Sequence, residues 1–167
     1  MIIKNALVFT EDCKFAEKDV YIDGERIADT ASDSEVIDAK GCYVIPGLID
    51  IHFHGCVGHD FCDATQEALT AMAEYELKNG ITSICPASMT LSEEDLVHIC
   101  ANAKDYRDAW KPGKTSRLCG INLEGPFIAM NKKGAQNPKY VTPPNADMFQ
   151  HWIDAGDGLV KLTTIAP

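Results

Sequence analysis

Pro46-Gly47-Leu48-Ile49-Asp50-Ile51-His52-Phe53-His54-Gly55 carries the strongest structural signal in this chain. A strand has a side-chain period of two, so Asp50, His52 and His54 share one face and Ile49, Ile51 and Phe53 the other. In an α/β barrel the apolar set would face the helices. The two imidazoles, at the carboxyl end of a strand, could then share one metal ion, with Asp50 behind them as an orienting partner. An ordinary half-buried strand gives the same alternation, because His-x-His is a short pattern.

On either side of Pro46 the rhythm differs. Before it the chain reads as short β: 2–10, 19–22, 26–29 and 42–45 are strand-like. Asp23-Gly24 is a two-residue hairpin signal, and a small antiparallel sheet is expected. After it come a strand at 48–54, a helix at 65–79 ended by Gly80, a strand at 82–87 and a helix from about 92 to 109. A strand at 118–124, a long loop at 125–144, a short helix near 145–155 and a strand at 159–166 follow. Ser92, with Asp95 three residues on, is placed to cap the second helix. Strand–helix alternation is the pattern of parallel βαβ units. Residues 1–46 therefore read as one segment and 47–167 as another. A closed (β/α)8 barrel needs roughly 200–250 residues. With about four parallel strands and no helix after the last, the second segment reads as an incomplete barrel.

The 167 residues carry 15 Lys+Arg against 25 Asp+Glu, a formal charge of −10. The longest basic run is Lys132-Lys133, so no stripe exists to track phosphates, and neither nucleic acid nor an anionic membrane is an expected partner. No run approaches the roughly 18 apolar residues of a membrane span, and the opening residues do not read as a secretion signal. The seven cysteines are scattered and form no Cys-x-x-Cys pair, which suits free, mostly buried thiols in a reducing compartment; a cytoplasmic location is expected.

A second constellation is Leu118-Cys-Gly-Ile-Asn-Leu-Glu124-Gly-Pro-Phe127. One carboxylate ends an apolar strand. If buried, it requires a cation, a partner or a proton; at the rim of a loop it requires nothing. Taken with His52 and His54 it makes a His-plus-carboxylate set suited to zinc or iron, at the strand ends where α/β barrels put their chemistry.

The 46–55 stretch, preceded by Ile22-Asp-Gly-Glu-Arg-Ile27, resembles the opening of an amidohydrolase-superfamily metal hydrolase. Leu123-Glu-Gly-Pro-Phe127 and Lys132-Lys-Gly-Ala-Gln136 resemble the branch that removes the acetyl group from N-acetylglucosamine 6-phosphate. The resemblance covers the whole chain but only about the first two fifths of such an enzyme. It implies an α/β fold in which part of a small β-sandwich domain (1–46) precedes the first strands and helices of a (β/α)8 barrel (47–167). It implies metal ligands at Glu124, His52 and His54, and one or two divalent ions, zinc or iron. It also implies a sugar-contacting loop at Ala135 and Gln136. Many relatives have His at the latter position, and an amide can hydrogen-bond a hydroxyl but cannot change charge as an imidazole does. Lys132 and Lys133 either attract a sugar phosphate or are solvated loop charges.

The implied reaction is metal-dependent hydrolysis of the acetamide to glucosamine 6-phosphate and acetate, in amino-sugar catabolism, by a homodimer. The catalytic acid/base Asp, two further histidines and the phosphate-binding residues are expected beyond residue 167. The isolated chain is thus expected to be an inactive fragment that binds metal weakly. Two other readings stand beside this one. A cyclic amidase or deaminase would carry a bridging ligand at the carboxyl end of the fourth strand, where Lys161 is not. A short non-catalytic protein would bind a metal or phosphosugar. His59, His98 and His151 are not assigned to the site; Asp60 and Asp63 read as cap or loop residues, and Trp110 and Trp152 as packing anchors.

Overall fold

A computed structural model of the protein describes residues 1–32 and 35–166. Two compact units divide at Pro46 and Gly47. Pro167, the last residue of the 47–167 segment, lies outside the described residues.

In the first unit β1 (Ile2–Phe9), β2 (Phe15–Asp23), β3 (Arg26–Ala28), β4 (Val36–Asp38) and β5 (Tyr43–Val44) form one five-stranded sheet. β2 pairs antiparallel with both β1 and β3. The expected antiparallel sheet ends there, for β4 and β5 run parallel to β1. β4 has no counterpart in the sequence reading. The β1–β2 register shifts between Ile3 and Ala6. Asn5 takes a positive φ of 62° at this shift, a conformation asparagine tolerates better than most residues. Its side-chain amide donates to Asp38 Oδ1 at 2.9 Å, tying the bulge to β4.

The second unit comprises β6 (Leu48–Asp50), a hairpin of β7 (Gly55–Cys56) and β8 (His59–Asp60), α1 (Gln66–Lys78), β9 (Ile81–Ile84) and β10 (Ala87–Ser88). It continues with α2 (Glu93–Ala109), β11 (Arg117–Leu118), β12 (Ile121–Leu123), α3 (Ala146–Gly156) and β13 (Val160–Thr163). β9 pairs in parallel with β6 and β11, and β12 in parallel with β10 and β13. Bonds from Cys85 N to Asp50 O, Ala87 N to Phe53 O and Asn122 N to Pro86 O stitch the two ladders together. The result is four parallel strand lines in sequence order, near residues 48–53, 81–88, 117–123 and 160–163. The strands expected at 82–87 and 118–124 are each interrupted. Pro86 has no N–H to give a ladder. At Gly120 a Cβ would lie 2.5 Å from Lys161 Cγ.

All three expected helices are present, each begun by a side-chain cap. Thr65 Oγ1 accepts from Ala68 N at 3.1 Å, Ser92 Oγ from Asp95 N at 3.2 Å, and Asn145 Oδ1 from Asp147 N and Met148 N at 3.0 and 3.1 Å. Leu69, Met72, Leu96 and Ile99 of α1 and α2 join Ile84, Ile121 and Leu123 of the strands in one core. Trp152 of α3 is wholly buried, 5.3 Å between centroids from Phe127 and 6.0 Å from Phe149, and its Nε1 donates to Glu93 O. The face of β6 departs from expectation. Phe53 packs against the core, whereas Ile49 and Ile51 stay 63% and 56% exposed, because α1 packs on β9 rather than over them.

Candidate metal centre

His52 and His54 follow β6, and Glu124 follows β12, with one strand line between them. His52 Nε2 and His54 Nε2 lie 3.2 and 3.1 Å from Glu124 Oε2. The three residues can offer ligand atoms within 4.8 Å of one another. Two atoms each about 2.0–2.2 Å from one ion, at 90–110°, are roughly 2.8–3.6 Å apart. The spacing therefore fits a shared divalent cation. The imidazoles stand edge to face, 5.2 Å between centroids at 84°.

The second nitrogen of each ring fixes what the first can do. His54 Nδ1 is 3.1 Å from Ala87 O. A carbonyl only accepts, so Nδ1 carries the hydrogen, and in the neutral ring the Nε2 lone pair faces the carboxylate. Two electron-pair donors at that distance repel unless a proton or cation lies between them. His52 is held differently. Asn122, 8% exposed, donates from Nδ2 to Ile51 O at 3.0 Å and to His52 Nδ1 at 3.1 Å. His52 Nδ1 therefore accepts, and its Nε2–H points at Glu124.

Asp50, expected to orient an imidazole, instead accepts from the His52 backbone N–H at 2.9 Å. Asn122 takes the orienting place. It lies two residues before Glu124 on the same strand face, a period-two signal present in the sequence but overshadowed by the carboxylate. Beside Asp50, Glu76 of α1 is 6% exposed. Burial, and secondarily the Asp50 charge, push its carboxyl above the ordinary range.

Gly125 gives the strand end its turn. Its φ is +86°, and a Cβ would lie 2.0 Å from Thr90 Oγ1, so only glycine fits. Thr90 Oγ1 in turn donates to Glu124 O at 3.2 Å.

The loop residues expected at the sugar separate. Ala135 is exposed, whereas Gln136 is 4% exposed. The Gln136 amide accepts from Thr90 N at 2.7 Å and donates to Glu124 Oε1 at 2.8 Å and Met89 Sδ at 3.7 Å. Both donor hydrogens are thereby engaged with protein, leaving none for a sugar hydroxyl. Lys133 Nζ folds onto Gly134 O and Gln136 O, while Lys132 is exposed. Asp60 caps the turn at Phe61–Asp63, and His59 is 3.9 Å from Asp63. His98 is exposed on α2. His151 Nδ1 is 2.6 Å from Glu93 Oε1. Lys161 lies over Gly120, not with the three ligand candidates.

Residues 43–167 match the amidohydrolase family, and the chain belongs to it. The fold is that of the N-terminal part of solved deacetylases of this family. Over 99% of its length the chain is 30% identical to N-acetylglucosamine-6-phosphate deacetylase of Bacillus subtilis (strain 168), covering 41% of that protein. It is 29% identical to the Homo sapiens protein of the same name, over 92% of this chain and 40% of the relative. The crystal structure of N-acetylglucosamine-6-phosphate deacetylase from Pasteurella multocida superposes with a TM-score of 0.86 at 25% identity, over 98% of this chain and 44% of that one. The chain thus spans about two fifths of the length of the curated relatives it matches. Among the described residues no helix is long and apolar enough to cross a membrane.

Proposed function

We propose that these residues form the metal-holding part of a carbohydrate amide deacetylase that hydrolyses N-acetylglucosamine 6-phosphate to glucosamine 6-phosphate and acetate. The observation that carries the reading is the convergence of His52 Nε2 and His54 Nε2 on Glu124 Oε2 at 3.2 and 3.1 Å. Relatives named for that reaction match nearly the whole chain.

Glu124, His54 and His52 are the residues that would hold zinc or iron, one or two ions. A bound divalent metal would supply Lewis acidity and lower the pKa of a bound water toward neutrality. Glu124 offers a charged oxygen and His54 a lone pair fixed by the Ala87 carbonyl, whereas His52, with Asn122 donating to its Nδ1, would ligate through Nε2 only on giving up the hydrogen held there. Ala135, exposed on the loop after Glu124, remains a candidate sugar contact. An Asp outside these 167 residues is proposed for protonating the leaving amine. The whole enzyme is proposed to be a cytoplasmic homodimer, and residues 1–167 alone to be inactive.

The test is acetate release from N-acetylglucosamine 6-phosphate by the purified native gene product, before and after chelation and after return of zinc or iron. Loss with the chelator and recovery with metal are expected. Full turnover after exhaustive metal removal, or no turnover with metal restored, would reject the reading.

A further inference from the structure

Gln136 is a buried polar side chain on a long loop, and burying an amide without partners is costly. Its hydrogen bonds are therefore the reason it can be where it is. Thr90 N donates to Oε1 at 2.7 Å, and Nε2 donates to Glu124 Oε1 at 2.8 Å. A backbone N–H can only donate, so the amide cannot rotate by half a turn without setting donor against donor. The orientation is fixed by the strand-end backbone. The donor that reaches Glu124 is fixed with it.

The consequence falls on the two carboxylate oxygens. Oε1 is engaged by Gln136, and Oε2 is the oxygen that faces both imidazoles. The loop holds Gln136 in turn through Gln136 N to Lys133 O at 3.1 Å and Lys133 Nζ to Gln136 O at 3.0 Å. Thr90 anchors both ends of the relay, through its N–H to Gln136 and its hydroxyl to the Glu124 carbonyl.

We infer that Gln136 is a positioning residue for Glu124, presenting Oε2 alone to a metal ion. This rests on the reading of Glu124 as a metal ligand. The relay requires one acceptor and one donor on the terminal group of a side chain of this length. An imidazole meets the requirement with its two nitrogens, whereas the similarly sized methionine side chain supplies no donor.

The test is the zinc dissociation constant of the native gene product, by competition with a chromophoric chelator, for wild type, Gln136→Met, Gln136→His and Glu124→Ala. Partners of ligating residues typically cost 10–100-fold in metal affinity when removed, so Gln136→Met is expected to weaken zinc binding by about that factor and Gln136→His to restore most of it. Unaltered affinity in Gln136→Met, with Glu124→Ala strongly weakened, overturns the inference alone. Unaltered affinity in Glu124→Ala overturns the metal reading beneath it. Should Gln136→Met not fold, the wild-type Gln136 side-chain amide resonances in 15N NMR decide: they are expected to shift on zinc addition, and no change counts against the relay.

Discussion

Glu124 Oε2 and the Nε2 of a neutral His54 ring face each other as two electron-pair donors, 3.1 Å apart. The ring cannot turn its hydrogen toward the carboxylate without surrendering its bond to Ala87 O. A cation relieves the repulsion. Zinc is therefore expected to raise the melting temperature of the native gene product. At 100 times the dissociation constant the stabilisation is about 2.7 kcal/mol, and a chelator should reverse it. His54→Ala should weaken zinc binding more than His52→Ala, because Asn122 favours the His52 tautomer with Nε2 protonated. Chelator competition on the two variants compares them directly, and equal losses would contradict the tautomer assignment.

Glu76 offers a test by pH. Its carboxyl binds a proton more tightly in the folded than in the unfolded chain, through burial first and the Asp50 charge second. The associated stability is complete below the ordinary carboxyl value of about 4.5 and is lost as pH rises through the higher folded value. Glu76→Gln should accordingly be more stable than wild type at neutral pH, with the gain shrinking toward pH 4. Denaturant midpoints across that range measure it.

The thiols divide by burial. Burial pushes Cys62 and Cys100 up to about 12 and Cys85 up to about 11. At pH 8 the thiolate fraction of such groups is roughly one part in 10³ to 10⁴, and the thiolate is the nucleophile. Cys13, Cys42 and Cys119 are exposed. Rapid labelling by a disulfide reagent is expected at those three, with Cys62, Cys85 and Cys100 labelled only on unfolding, as peptide mass mapping would show.

Trp152 is the largest of the fully buried side chains and joins α3 to Phe127 and Phe149. Trp152→Ala should cost about 3–5 kcal/mol of stability, by the usual loss of transfer energy plus cavity. Equilibrium urea unfolding gives the difference, and a loss below about 1 kcal/mol would contradict the packing described.

Period-two alternation and the Glu-Gly-Pro strand end made His52, His54 and Glu124 visible in the sequence, as capping residues and apolar spacing made the helices visible. What stayed hidden depends on tertiary contact. Nothing local marks β4 as parallel to β1, since its pairing partner lies more than 30 residues away. Alternation along 48–54 assigned Ile49 and Ile51 to a covered face, but alternation identifies a face without saying which element packs against it. Gln136 is expected at the sugar through the resemblance of 132–136 to a family loop, which says nothing of how deeply the side chain is buried. Its burial follows from Thr90, 46 residues earlier, which no spacing rule connects to it.

Asn122 reaches back 71 residues to Ile51 O and 70 to His52 Nδ1. Contacts at such separation form slowly, because the entropy of closing the chain between them comes before any reward from the contact. The histidine pair and the carboxylate therefore meet only when the third strand line has docked against the second. During refolding, the time course of zinc capture would thus act as a clock for sheet growth, lagging the appearance of helical signal from α1 and α2.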